Sequence, residues 1–159
     1  MARKFSNIVI TGGSSGLGAA LARAYAGQGV TLHLGGRHED RLQSIAAACR
    51  EAGAEVHPQQ VNVADAAAMD AWLRPLCTPA PPDLVLANAG ISGGTAAGLE
   101  GISQGSAIMR VNVEGVMHTF APLLPAMQAA GRGQLVIVSS LAGYLGFPGA
   151  PAYCASKAA

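Results

Sequence analysis

Five short apolar runs alternate with stretches of helical period along the 159-residue chain, and that alternation limits the fold more than any other feature. Asn7-Ile8-Val9-Ile10 is a strand that runs straight into glycines. Residues 17–29 repeat Leu17, Ala20, Leu21, Ala24 and Tyr25 at helical spacing, with Gly27 and Gly29 closing the helix. Val30-Thr31-Leu32-His33-Leu34 is a second strand. Residues 39–52 make a helix with Leu42, Ile45, Ala46 and Cys49 on one face and Gly53 as its stop. A third strand lies within residues 55–63, late in that window because Pro58 interrupts the start. Asp65 caps a helix that buries Met69, Trp72, Leu73 and Leu76. A stiff connector at residues 78–82 leads to the strand Asp83-Leu84-Val85-Leu86-Ala87, which ends at Asn88-Ala89-Gly90. A loop rich in Gly, Ser and Ala precedes a long helix over residues 103–130, bent by Pro122 and Pro125. Gln134-Leu135-Val136-Ile137-Val138 is the fifth strand, and Tyr153 opens a last helix. The alternation predicts an α/β fold with a doubly wound parallel sheet and right-handed crossovers, in one domain over residues 1–159.

Composition agrees. Half the residues are hydrophobic and 12% are charged, against about 25% charged in ordinary globular chains. That suits strands covered by helices on both faces. The net charge of +1, with scattered Lys and Arg, gives no basis for binding nucleic acid or an anionic membrane. Cys49, Cys77 and Cys154 are far apart and lack metal-ligand spacing, so no metal is expected, and an odd count fits a reducing cytoplasm. His33, His38, His57 and His118 show no metal spacing either and read as satisfied or solvated side chains. The start Met1-Ala2-Arg3-Lys4-Phe5 is basic, but no secretory core or membrane span follows it.

The chemistry concentrates at the C-terminal ends of strands one, four and five, where open parallel sheets bind ligands. Four glycines stand within residues 12–18, between the first strand and its helix. Glycine allows a tight turn and lets backbone N–H groups approach a phosphate, and the helix N-terminus behind it favours negative charge. Ser14 and Ser15 add hydroxyl donors. The second strand ends Leu34-Gly35-Gly36-Arg37, with no acid before Glu39 to hold a ribose 2′-hydroxyl. Arg37 instead offers a cation to a 2′-phosphate, which favours NADP over NAD. Tyr153 and Lys157 are four apart and so share a helix face. An ammonium beside a phenol favours the phenolate, which makes Tyr153 a candidate general acid/base.

These pieces resemble the short-chain dehydrogenase/reductase family, from Thr11 through Lys157. Thr11-Gly12-Gly13-Ser14-Ser15-Gly16-Leu17-Gly18 matches its cofactor turn, and Asn88-Ala89-Gly90 matches the segment that steadies the sheet and lines the cofactor site. Asn62-Val63-Ala64-Asp65 sits where the family often has Asp-Val-x-Asp against adenine, with an amide in place of the first acid. Asn112 matches the active-site Asn, Ser140 lies thirteen residues before Tyr153, and Tyr153 with Lys157 match Tyr-x-x-x-Lys. The resemblance implies a Rossmann-type sheet and hydride transfer between NADPH and a carbonyl or alcohol. Tyr153 would move the proton, Lys157 would lower the Tyr153 pKa and hold the nicotinamide ribose, Ser140 would orient the substrate oxygen, and Asn112 would hold a water. It also implies a homo-oligomeric parent enzyme.

Family members usually run to about 250 residues, so the chain is expected to be an N-terminal portion carrying about five strands, cut after Tyr-x-x-x-Lys. The fifth strand should then form an open edge, with Val136, Ile137 and Val138 short of helix cover and slow turnover from the 159 residues alone. The alternative is an inert fragment or nucleotide-binding module. An epimerase or dehydratase on a related fold shares Tyr-x-x-x-Lys, but the glycine spacing argues against it. The apolar loop over residues 141–152, with Tyr144, Leu145, Phe147 and Pro148, points to an apolar ketone or aldehyde.

Overall fold

The computed structural model describes residues 5–93 and 98–159. The basic start at residues 1–4 and part of the Gly/Ser/Ala loop, residues 94–97, lie outside the described residues. Among the described residues there are five strands: β1 (Asn7–Thr11), β2 (Thr31–Gly36), β3 (Glu55–Gln60), β4 (Leu84–Ala87) and β5 (Gln134–Ile137). They form one parallel sheet in the order β3-β2-β1-β4-β5. The helices are α1 (Gly16–Tyr25), α2 (Glu39–Glu51), α3 (Ala66–Leu73), α4 (Ile102–Met109), α5 (Gly115–Phe120), α6 (Leu124–Ala130) and α7 (Pro151–Ala158).

Period-two alternation along the strands builds two cores. Ile8 and Ile10 pack with Leu32, Leu34, Leu84 and Leu86 against Ala19, Ala22, Leu42, Ile45, Ala46 and Cys49 of α1 and α2. Val9 and Val85 point the other way, into Met69, Leu73, Leu123 and Met127. The sheet is therefore covered on both faces, the Rossmann-like arrangement expected from the alternation. Its strand order reverses between β1 and β4, which opens a crevice at their C-terminal ends. At the opposite, N-terminal end of the strands Asp83 ties the strand starts. Its Oδ2 accepts from Ser6 N (3.1 Å), Ser6 Oγ (2.8 Å) and Asn7 N (3.1 Å), and its Oδ1 accepts from Arg132 Nη1 (3.1 Å). Burial works to raise the carboxyl pKa, but the Ser6 and Asn7 hydrogen bonds and the Arg132 charge together hold it below the ordinary aspartate value.

The structure corrects three local expectations. β3 begins at Glu55 and runs through Pro58, early rather than late in its window. Glu55 N donates to Val30 O, just before β2, and Val61 N to Gly36 O at its end, so the alternation turns the position of Pro58's missing N–H outward, where an edge strand tolerates proline. On α1, Leu17, Ala20 and Ala24 are exposed, while Gly18, Ala19 and Ala22 are the buried face. Alanines all round that helix left no polar stripe to mark its phase, and the smallest residues let it approach the sheet most closely. The long helix is two pieces rather than one bent rod. α4 and α5 are joined by a π-helical turn, Arg110–Glu114, and the chain then breaks at residues 121–123 before α6. Pro122 cannot donate to the preceding turn, whereas Pro125 is tolerated in the first turn of α6.

Other elements follow the sequence. Asp65 Oδ1 caps α3 by accepting from Ala68 N at 3.0 Å. Met69 and Leu73 are fully buried there, with Trp72 and Leu76 half-buried. Leu42, Ile45, Ala46 and Cys49 are the buried face of α2, as their spacing predicts. Among the described residues β5 pairs only with β4 and is an edge, with Val136 and Val138 half-buried and Ile137 exposed.

Candidate active site

A cleft of about 410 Å³ opens at the crevice between β1 and β4, within the roughly 300–1,000 Å³ of small-molecule sites. Gly12, Ser14, Ser15, Gly16 and Leu17 form its floor, Arg37 closes one end, and Asn62, Val63, Asn88, Ala89 and Gly90 line the rest. The floor is a constrained turn. Gly12 sits at φ +69° and Gly16 at φ +53°, in the left-handed region that favours glycine. A Cβ on Gly18 would overlap the Gly12 carbonyl oxygen, so α1 can approach the turn only with glycine there. Asn88 Nδ2 donates to Thr11 O (2.9 Å) and Gly12 O (3.4 Å), while Thr11 Oγ1 accepts from Asn88 N (3.1 Å) and Ala89 N (3.2 Å). The ends of β1 and β4 are thereby locked together. Ser15, at the N-cap of α1, makes no side-chain cap bond, so side chains leave the first-turn N–H groups open to a ligand.

At the wall, Asn62 Oδ1 accepts from Ala64 N (3.1 Å) in a tight turn after β3. Arg37 is exposed and has no ion-pair partner among the described residues. His38 and Arg41 line the cleft beside it.

The second group gathers around α7. Lys157 Nζ lies 6.0 Å from the centroid of the Tyr153 ring and donates to Val138 O at 2.9 Å. Burial holds the Lys157 ammonium below the ordinary lysine pKa. Asn112, buried in the π turn, is fully engaged on its amide nitrogen. Nδ2 donates to Ile91 O (2.9 Å) and Ser156 Oγ (2.9 Å), and Oδ1 accepts from Ile91 N (2.8 Å). Ser156 Oγ in turn donates to Tyr153 O at 2.8 Å. Ser140 Oγ accepts from Ala142 N (3.2 Å), capping the 3₁₀ turn Leu141–Gly143 and leaving its O–H as a donor. Ser139 Oγ is committed to Lys157 O at 2.8 Å.

Gly90 joins the two groups. Its backbone lines the cleft, and a Cβ there would stand 3.3 Å from Asn112 Oδ1 and 3.5 Å from Lys157 Nζ. Tyr153 and Ser140 do not line the cleft itself, and Gly18 lies buried beneath it. Sequence reasoning passed over Arg41 and Ser156. Ser156 carried a signal in its spacing, three residues beyond Tyr153 on one helix, whereas Arg41 lies on α2 and Arg37 precedes that helix, so no helical spacing linked them.

The glycine turn at a sheet crevice, beside a Tyr/Lys helix, marks a nucleotide-binding α/β protein of the dehydrogenase kind. The chain belongs to the short chain dehydrogenase family, whose model it matches over residues 6–159. It is 40% identical over 155 residues to an uncharacterized oxidoreductase of Myxococcus xanthus, covering 97% of this chain and 61% of that one. Its fold is similar to an alcohol dehydrogenase from the archaeon Thermococcus sibiricus solved with 5-hydroxy-NADP, at TM-score 0.85, 31% identity, and coverage of 96% and 65%. It is also similar to a short chain dehydrogenase/reductase from Burkholderia phymatum solved with NAD, at TM-score 0.87, 30% identity, and coverage of 98% and 57%. The chain thus spans about 61% of the length of that Myxococcus relative.

Proposed function

We propose that this chain carries the cofactor and proton-transfer parts of an NADP(H)-preferring oxidoreductase acting on an apolar carbonyl or the corresponding alcohol. One observation carries the proposal: Gly90 brings the glycine-floored cleft to the Asn112 and Lys157 side chains. The cleft fits the cofactor's phosphates by its positive-φ glycines, open helix N-terminus and Ser14 and Ser15 hydroxyls. Gly12 to Gly18 would hold the pyrophosphate, Asn62 and Val63 the adenine side, Arg37 with Arg41 a 2′-phosphate, and Asn88, Ala89, Gly90, Tyr153 and Lys157 the nicotinamide side. When bound, the cofactor supplies or accepts the hydride. NADP and NAD both occur in the similar solved structures, so the preference for NADP rests on Arg37 and on the lack of an acid at Gly36.

Tyr153 holds the proton on its phenol oxygen and gives it to the carbonyl oxygen, or takes it back from an alcohol. The Lys157 ammonium faces that ring and steadies negative charge as the proton leaves. The free O–H of Ser140 orients the substrate oxygen. Asn112 fixes the neighbourhood through Ile91 and Ser156; a water beside Lys157 would use the second lone pair of its Oδ1. Leu141, Tyr144, Leu145 and Phe147 stand exposed before α7 and suit an apolar substrate.

The test is Tyr153→Phe in the full-length product of this reading frame. NADPH-linked turnover of apolar ketones and aldehydes should fall by roughly 10²–10⁴-fold, the usual worth of a general acid, while NADP affinity stays within about twofold. Retained turnover would remove Tyr153 from the proton step. A second reading, a nucleotide-binding module without turnover, is favoured by the exposure of that same apolar wall. Cofactor binding with no reduction of any carbonyl in the panel would select it.

A further inference from the structure

The N-terminus of α7 is capped from a distance. Ala150 occupies its N-cap position and has no side-chain acceptor, and Pro151 follows it in the first turn. The next two N–H groups, of Ala152 and Tyr153, are those an N-cap side chain would ordinarily satisfy. Glu100 satisfies them instead, from the segment that leads into α4. Its Oε2 accepts from Ala152 N at 2.7 Å and from Tyr153 N at 3.3 Å. The main chain makes the same connection, since Glu100 N donates to Gly149 O at 3.0 Å. The other carboxylate oxygen, Oε1, is buried and has no hydrogen-bond partner. A carboxylate at a helix N-terminus gains from the aligned N–H groups and the helix dipole.

We propose that Glu100 is a positioning residue for the proton-transfer helix. Its carboxylate replaces the missing cap at residue 150 and fixes the first turn of α7, and with it the backbone from which Tyr153 projects. The packing agrees: a Cβ on Gly105 of α4 would stand 3.1 Å from Ala152 Cβ, so the start of α7 lies directly against α4. Ser156 and Asn112 tether the next turn of α7, and Lys157 with Ser139 tethers its end to the β5 side. Glu100 is the anionic member of this set and the one that accepts from the Tyr153 N–H itself. A reacting group displaced by about an ångström loses on the order of 10²-fold in rate, so a loosened first turn should appear in kcat before it appears in cofactor affinity.

This inference rests on Tyr153 as the proton donor, and one measurement keeps the two apart. In the full-length product, amide hydrogen exchange at residues 152 and 153 should rise at least about tenfold in Glu100→Ala whether or not Tyr153 is the acid. In the same variant kcat should fall roughly 10–100-fold, with the NADPH dissociation constant within about twofold. Glu100→Gln, whose amide oxygen can accept the same two N–H groups, should recover most of that loss. Glu100→Ala/Ala150→Ser should recover part of it, because a serine at the N-cap restores the acceptor locally. Unchanged exchange and kcat in Glu100→Ala would overturn the proposal. So would a double variant in which exchange protection returns but kcat does not, since Glu100 would then be acting directly rather than through the helix. Should Glu100→Ala not fold, Glu100→Gln and the double variant carry the same comparison, and a loss of kcat in Glu100→Gln alongside intact exchange protection would equally overturn it.

Discussion

On the β1–β2 side of the sheet, Ile8, Val9, Ile10, Leu32 and Leu34 have no exposed area, whereas on the β5 side Ile137 is 60% exposed and Leu135 and Val136 only half-buried. The two sides also hold their functional groups differently. The cleft is shaped by backbone: left-handed glycines, close contact between α1 and the turn, and the Thr11–Asn88 lock. The Tyr153/Lys157 helix is held by polar side-chain tethers to Val138, Ser139, Asn112 and Glu100. A cleft of the first kind is formed before any ligand arrives. A constellation of the second kind depends on every tether, and a few degrees of helix movement changes it. Binding and turnover should therefore respond to different mutations.

The largest effect that could break this comparison comes from adding one methyl group on each side. Gly18→Ala drives a Cβ into the Gly12 carbonyl oxygen, and backbone cannot swing aside as a flexible side chain can. A loss of about 3 kcal/mol or more is expected in urea unfolding, together with loss of NADP binding. Gly146→Ala, between the 3₁₀ turn Leu141–Gly143 and α7, meets nothing within 4 Å and has no left-handed φ, so it should stay within about 0.5 kcal/mol of the parent. Equal losses in the two variants would show that the cleft is no more rigidly built than the loop before α7.

Cofactor choice is the next largest. Arg37 is exposed and unpaired among the described residues, so removing its side chain should cost the fold little. Arg37→Ala should weaken NADP by roughly 1.5–3 kcal/mol, the worth of a charge-assisted hydrogen bond, and leave NAD nearly unchanged. Isothermal titration with both cofactors decides it. If NAD binds the parent as tightly as NADP, the preference fails outright.

A smaller effect is set by pH and belongs to the buried side. The His33 and His57 rings stack at 5.1 Å with an interplanar angle of 15°, and His33 Nε2 lies 3.1 Å from Asn7 Oδ1. Burial first, and the His57 charge second, hold the His33 pKa at about 4, with Glu55 opposing. The unfolded imidazole titrates near its ordinary value of about 6.5. Between those values the unfolded chain binds the proton and the folded one does not, so stability is full above about pH 6.5 and falls as pH drops towards 4. A two-and-a-half-unit gap sets a ceiling of about 3 kcal/mol; the ring's remaining contact with solvent lowers the expectation to roughly 1–2 kcal/mol. His33→Gln should flatten the melting temperature over this range. An unchanged slope in that variant would assign the acid sensitivity elsewhere.

The same contrast explains what could be read from the sequence. The buried face of α2 was legible to the residue because Arg41, Gln43, Ser44 and Arg50 mark its outer face. The phase of α1 was not, because its alanines fit either face. The glycine turn, Asn88-Ala89-Gly90 and the Tyr153/Lys157 pair announce themselves by local spacing, and the structure brings their neighbourhoods together at Gly90. Pro58 misled because only the sheet order shows that β3 is an edge. The tethers of α7 were invisible for another reason. Asn112 meets Ser156 across 44 residues and Glu100 meets Ala152 across 52, and no local pattern encodes such contacts.

The smallest expected effect sharpens the comparison at the β5 edge. Ile137 belongs to the last-paired strand and is 60% exposed, while Ala87, its register partner on β4, is almost wholly buried. Ile137→Lys in the 159-residue chain should therefore change stability by less than about 0.5 kcal/mol, even though lysine in a strand would ordinarily be poorly placed. Its effect should fall on association instead. An open strand with an apolar side chain is a template for pairing with a second copy, and a charge there disfavours such pairing. Light scattering of the parent and the variant over the same concentration range should show less self-association for Ile137→Lys at nearly equal melting temperature. A drop of more than a few degrees would mean that Ile137 contributes to the core after all, and the distinction between the two sides of the sheet would fail at this residue.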